Sequence, residues 1–243
     1  MPFLPCLLAL VSIAAADAAS ADAGDGRPLR VVASGALDAL DAELLATFAK
    51  THGRRLLTVT GGPSAVTAGD ADVAAGLFAE DATPPALEAT AEVFPSRLVA
   101  VSRRPGPPAA SIESLRWARI GVLRGSRAPA AVHDAKVSGA EITEYRGLEA
   151  AVSALRAGTV AFLLVELPEA LLGLRGDARL ELGVFLGARR SRVYAVRGQD
   201  RDLRAALNGY LQGLRRTPSW AVLVSRHYGP AAFEALARAH LAD

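Results

Sequence analysis

Apolar positions along the chain follow two alternating patterns: short uninterrupted runs, and longer stretches in which they recur every three or four residues. Leu29–Ala33 is a run of the first kind and predicts a buried strand. Leu37, Leu40, Leu44, Leu45 and Phe48 follow with helical spacing, and His52-Gly53 supplies a stop. Residues 56–60 form a second run, broken by Gly61-Gly62-Pro63. Val73–Phe78 is a third, entered through the turn-forming Gly69-Asp70-Ala71-Asp72. Strands that alternate with helices and stay apolar throughout, rather than at every second residue, predict an α/β fold whose mainly parallel sheet is covered on both faces.

Pro84-Pro85 then breaks the chain, residues 97–103 predict an extended segment, and Pro105-Gly106-Pro107-Pro108 is the strongest linker signal. A second strand and helix series follows. It comprises a strand over 120–123, a turn at Arg124-Gly125-Ser126, a helix from Pro129, a strand over 142–145, the helix Leu148–Ala157 and a strand over 160–165. An extended segment over 192–197 repeats the first one in detail: Arg192-Val193-Tyr194-Ala195-Val196 matches Arg97-Leu98-Val99-Ala100-Val101. Two such crossings imply one lobe inserted into another, with residues 29–103 and 197–243 forming lobe 1 and residues 104–196 the inserted lobe 2. Arg189-Arg190-Ser191-Arg192 reads as an exposed, solvated loop ahead of the second crossing. Three helices, over 201–214, 220–228 and 231–241, return the chain to lobe 1.

The 243 residues, 51% of them hydrophobic, are enough to bury a sizeable core. A net charge of only +2, spread along the chain, excludes nucleic acid as the expected partner. Beyond the first sixteen positions no apolar run approaches the roughly 18 residues of a membrane span. The apolar stretch from Phe3 to Ala16, followed by Ala18, Ala19, Ser20 and Ala21, resembles a secretory leader over residues 1–19, although no basic residue precedes it. A periplasmic location is therefore expected. The only cysteine, Cys6, falls inside that leader, which leaves the mature chain without thiol or disulfide chemistry.

Several short pieces, in order, resemble the bacterial extracellular solute-binding proteins of family 3, whose fold is the two-lobed type II periplasmic binding protein. They are Ala68-Gly69-Asp70-Ala71-Asp72-Val73-Ala74-Ala75-Gly76, then Ile112-Glu113-Ser114-Leu115 with Ile120-Gly121-Val122-Leu123-Arg124-Gly125-Ser126, then the stretch from Ala151 to Glu166. The C-terminal set of Leu203, Leu207, Asn208, Leu211, Trp220 and Tyr228-Gly229 completes the match. The resemblance implies a double-crossover hinge and a small-molecule ligand held between lobes. It also implies a monomer that serves as the binding component of an ABC-type transporter, handing its solute to a permease.

By position, the resemblance assigns Gly125, Ser126 and Arg127 to a ligand loop at a helix start, and Glu166 to an acidic strand end that receives an ammonium group. Gly76, Leu77 and Phe78 fall at the strand end whose backbone contacts the ligand. Each also has a plainer reading: Ser126 as an N-cap, Arg127 as a solvated charge, Phe78 as core, Glu166 as a cap or ion-pair partner. Two departures stand out. The arginine that clamps an amino acid's carboxylate is absent after Gly76, where Glu80-Asp81 stands instead, and the loop after the first strand shrinks to Ser34-Gly35-Ala36. Arg127 is expected to replace the missing charge from lobe 2, which favours a polar or anionic solute. The alternative is an accessory or sensory domain of the same fold that recognises a protein or cell-wall fragment. Neither a metal site nor a cofactor is expected, because the four histidines are scattered and no phosphate-binding glycine motif occurs. No nucleophile elbow occurs either, so a binding protein rather than an enzyme is the expectation.

Overall fold

The computed structural model describes residues 26–33, 37–81 and 86–241. The leader predicted over 1–19, the loop Ser34-Gly35-Ala36 and the break at Pro84-Pro85 lie outside the described residues. The first half of the chain runs β1 (Leu29–Ala33), α1 (Ala39–Thr51), β2 (Leu56–Thr58), α2 (Ser64–Ala68), β3 (Val73–Phe78), β4 (Leu87–Ala89) and β5 (Phe94–Arg103). Next come β6 (Arg119–Leu123), α3 (Ala128–Asp134), β7 (Glu141–Tyr145), α4 (Leu148–Ala157), β8 (Phe162–Glu166) and α5 (Leu167–Leu174). The long β9 (Leu180–Arg197) is followed by α6 (Arg201–Arg215), α7 (Pro218–Tyr228) and α8 (Ala232–Leu241).

One sheet carries the strands in the order β2-β1-β3-β9-β5-β8-β6-β7, with β4 also paired to β9. At each end lies a parallel trio built by alternation of strand and helix, β2-β1-β3 and β8-β6-β7. The trios are joined by antiparallel pairs, β3 to β9, β9 to β5 and β5 to β8. The parallel sheet expected from the apolar runs is therefore present at both ends, while the two extended crossings pair with each other as its centre.

The run Arg189-Arg190-Ser191-Arg192, expected as an exposed loop, lies within β9, and the Arg190 and Arg192 side chains are only 14% and 13% exposed. The reason is the period-2 direction of strand side chains: Arg190, Arg192, Tyr194 and Val196 form one alternating set, and Tyr194 and Val196 are core residues. Charge density alone made the segment look solvated. β4 and α5 were not foreseen either.

One apolar cluster extends from Leu29, Leu44 and Phe48 in the first half to Leu163, Val165 and Leu171 in the second, covered by α1, α4, α5 and the C-terminal helices. Two smaller clusters fill the remaining faces, one with Ile120, Val122 and Phe162 and the other with Val32, Val66 and Leu77. Asp72, read from sequence as fixing a turn, also accepts from the Arg30 backbone N–H at 2.9 Å and from its guanidinium at 2.7 Å, locking β1 beside β3.

In β9, Gly183 lies so near the Ala109 carbonyl oxygen that a Cβ would stand 2.2 Å from it, while the Val184 N–H donates to that same oxygen at 2.7 Å. Gly183→Ala must displace backbone on one side, so a loss of about 1–3 kcal/mol is expected, read as a lower urea midpoint. An unchanged midpoint would refute this close approach.

Candidate functional site

The strand ends of β3, β6 and β8 and the central segment of β9 converge on a cleft. A cavity of about 540 Å³ there is lined by Glu80, Gly125, Ser126, Arg127, Ala188, Arg189 and Arg190. A second, of about 590 Å³, is bounded by Arg97, Arg127, Gly187, Ala188 and residues of α3. β9 bulges at this point: its pairing with β5 jumps from Leu186 opposite Leu98 to Arg190 opposite Ser96. Gly187, with φ +66°, supplies the left-handed backbone that the bulge requires.

Of the residues singled out from sequence, Gly125, Ser126 and Arg127 line the first cavity together. Gly125 takes φ +72° in the turn after β6, and the Ser126 hydroxyl accepts from the Ala128 N–H at 3.4 Å, but the N-cap of α3 is Arg127 and not Ser126, because the helix starts one residue later than the expected cap requires. Glu166 ends β8 behind this wall and is 9% exposed. Arg127 donates from Nε to Glu166 Oε1 at 2.7 Å and from Nη2 to Oε2 at 3.3 Å, a forked pair, and from Nη1 to the Ala188 carbonyl at 3.0 Å. Ser96, wholly buried, donates its hydroxyl to Glu166 Oε2 at 2.7 Å. The two charges expected to meet opposite poles of a ligand thus meet each other.

The other strand end is arranged differently. Leu77 turns into the core beside Val32 and Val66. Gly76, exposed and with φ +74°, sits where the pairing of β3 with β9 shifts register. Phe78 is half-buried, and its ring lies under the Arg190 guanidinium, 3.6 Å from Cζ to centroid. Arg190 also pairs with Glu80 and comes within 3.9 Å of Glu166. Burial pulls the Glu80 carboxyl upward in pKa, but its own backbone N–H and the Arg190 guanidinium outweigh this and hold it below the ordinary value.

Sequence reasoning gave Glu80 no role in the site and placed Arg189, Arg190 and Arg192 in a solvated loop. The alternation of Arg190, Arg192, Tyr194 and Val196 is the signal that would have found the last two. Arg189 donates to Glu92 at 2.5 Å, and its Nε is buried with no hydrogen-bond partner among the described residues.

Behind the cleft, Arg192 donates to Asp41 at 2.7 Å and stands 3.7 Å from Asp38. The Tyr194 hydroxyl donates to Asp41 at 3.1 Å and the Tyr228 hydroxyl to Asp38 at 3.2 Å. Burial raises the Asp41 carboxyl despite the opposing pull of Arg192. Glu169, on α5, faces this group. One of its carboxylate oxygens, Oε2, is buried with no hydrogen-bond partner among the described residues, although the residue keeps some exposure. Burial pushes its pKa from 4.5 to about 7, against the pull of its own backbone N–H and Arg192 and reinforced by Glu166 and Asp38.

The folded chain therefore holds the Glu169 proton more tightly than the unfolded chain does. Stability from this group is complete below about pH 4.5, declines as pH rises towards about 7 and is absent above it. Glu169→Gln is expected to match the parent near pH 4 and to exceed it by up to about 3 kcal/mol at pH 8, measured by urea unfolding at both pH values. A constant difference across pH would refute the assignment.

No family model matches the chain, and no curated protein matches it in sequence. Solved structures do match in three dimensions. The GluR0 ligand-binding core in complex with L-glutamate aligns over 85% of this chain and 100% of its own, with a TM-score of 0.68 at 18% identity. An ancestral cationic amino acid solute-binding protein aligns over 84% and 96%, with a TM-score of 0.72 at 16% identity. The second substrate-binding domain of GlnP from Lactococcus lactis, in its open conformation, aligns over 84% and 95%, with a TM-score of 0.70 at 16% identity. At such identities the likeness is one of architecture, and with the crossing strands and flanking helices described above it establishes the type II periplasmic-binding-protein fold for this chain.

Proposed function

We propose that the protein is a periplasmic solute-binding protein, a binding module without turnover, that captures a small polar or anionic solute between its lobes for an ABC-type permease. The lobes are those bounded by the two crossings, and the solute occupies the cavity beside Gly125, Ser126 and Arg127. The observation that carries the reading is the lining of that cavity, in which three guanidinium groups stand against the single carboxylate of Glu80. Among the described residues, Arg127 commits three of its five N–H groups to Glu166 and Ala188, which leaves two for an acceptor on the solute. The fold neighbours add support, since those named above bind amino acids or substrates by their own descriptions. The absence of an arginine after β3 shifts the expected solute away from amino acids and towards anions that need one basic wall.

A second reading is favoured by a different observation. The main apolar cluster runs unbroken from α1 to α5 across both ends of the sheet, and the cleft arginines already have carboxylate partners. Both features resist lobe opening, as suits an accessory or sensory domain that recognises a protein or cell-wall fragment.

Thermal unfolding across inorganic oxyanions, dicarboxylates and amino acids separates the two. A receptor is stabilised by its solute by about 2.7 kcal/mol at one hundred times Kd, whereas an accessory domain shows no saturable shift. With the solute in hand, Arg127→Gln combined with Glu166→Gln, which avoids stranding a buried carboxylate, is expected to weaken binding by roughly tenfold or more in calorimetry. Unchanged affinity would remove Arg127 from the site.

A further inference from the structure

The geometry points to Arg190 as a tethered cation that fills a guanidinium site in the protein's own cleft, formed by Phe78, Glu80 and Glu166. Three observations converge on one side chain. The guanidinium stands over Phe78, with Cζ 3.6 Å from the ring centroid. It pairs with Glu80 on one side and has Nη1 3.9 Å from Glu166 Oε1 on the other. It is only 14% exposed, so these partners replace most of its water. An aromatic face together with two carboxylates is a receptor for a planar cation, and each element matches a different property of guanidinium: the π face, the positive charge and the in-plane donors.

The contacts also bridge the sheet. Phe78 ends β3 in one parallel trio and Glu80 follows it, Glu166 ends β8 in the other, and Arg190 comes from the strand that joins them. The bulge at Gly187–Arg189 is what delivers it, because the shift in register sets Arg190 opposite Ser96 next to the end of β3. Arg190 thus does from inside the chain what a bound cation would do from outside. It neutralises Glu80 and ties both ends of the cleft to the seam.

The consequence deepens the proposed function and rests on its placement of the solute. With the cation position filled, free guanidinium and ammonium compounds are excluded from the cleft, and what remains for a solute is the basic wall of Arg127 and Arg189. Removing the Arg190 side chain uncovers Phe78 and withdraws the positive charge beside Glu80, and so reverses the charge preference at that point.

The test is chemical rescue by methylguanidinium chloride, with sodium chloride at equal ionic strength as the control. Arg190→Ala is expected to show a saturable rise in thermal midpoint with a Kd on the order of millimolar, the range a fragment of this size attains, while the parent chain shows none. Adding Phe78→Ala to Arg190→Ala is expected to weaken that binding by roughly tenfold, the loss of one cation–π contact. Arg190→Gln, which keeps the stem over Phe78, gives a second background and is expected to respond more weakly than Arg190→Ala.

Equal binding by the parent, or no saturable response from a cooperatively folding Arg190→Ala protein, overturns the proposal. Loss of cooperative melting in both single variants also overturns it, because that would make Arg190 a structural strut rather than a site filler. The oxyanion and dicarboxylate screen of the parent chain is independent of these results. Its failure would remove the receptor reading while leaving a methylguanidinium response intact.

Discussion

The antiparallel seam between Phe94–Arg103 and Leu180–Arg197 is the constraint on which the remaining architecture rests. A parallel trio of strands has no short way to connect to a second trio, because each parallel step needs a helical crossover. Two long strands that pair with each other, and each with one trio, solve this and turn two α/β units into one sheet. The bulge in β9 interrupts the ladder where the two units meet. There the backbone of Gly187 and Ala188 turns outward, the Ala188 carbonyl takes up Arg127, and the arginines that follow are aimed into the cleft.

Charge then decides what the cleft is. A guanidinium withdrawn from water needs a carboxylate or equivalent acceptors near it, and the chain supplies one for each: Glu166 for Arg127, Glu92 for Arg189, Glu80 for Arg190 and Asp41 for Arg192. The pairing preorganises the site, since side chains held by two or three contacts lose little further freedom when a ligand arrives. It also sets a threshold, because a ligand must use donors that remain or displace a partner already present. Arg192, Asp41, Asp38 and the two tyrosine hydroxyls form the least exposed part of this arrangement. They connect α1, β9 and α7 through hydrogen bonds rather than apolar contact alone. Glu169 faces this arrangement from α5, and burial, reinforced by the Glu166 and Asp38 carboxylates, favours its proton.

The periodicity of apolar residues located most of the elements, because burial on one helix face or in a covered strand leaves a spacing that needs no partner to be read. Leu29–Ala33, Val73–Phe78 and Leu148–Ala157 have the bounds that their local patterns predict. The likeness of residues 97–101 to 192–196 marked both crossings, since each must be apolar and extended to lie at the centre of a sheet. Gly125, Ser126 and Arg127 were legible as a strand-to-helix turn, for glycine and a capping hydroxyl carry their own conformational signal. The beginning of β9 left no comparable trace: Leu180–Ala188 alternates loosely, and Arg189-Arg190-Ser191-Arg192 has the composition of a solvated loop.

Local sequence thus determined the strands, the helices and the alternation that makes an α/β fold, because these depend on contacts within a few residues and on one buried face. Which carboxylate meets which guanidinium was decided only in three dimensions. Glu80 and Arg190 are far apart in the chain, as are Asp41 and Arg192, and nothing in the residues around an arginine records whether it will face solvent or an aromatic ring. That choice belongs to the register of β9 against β3 and β5, where the bulge at Gly187–Arg189 sets which side chains enter the cleft.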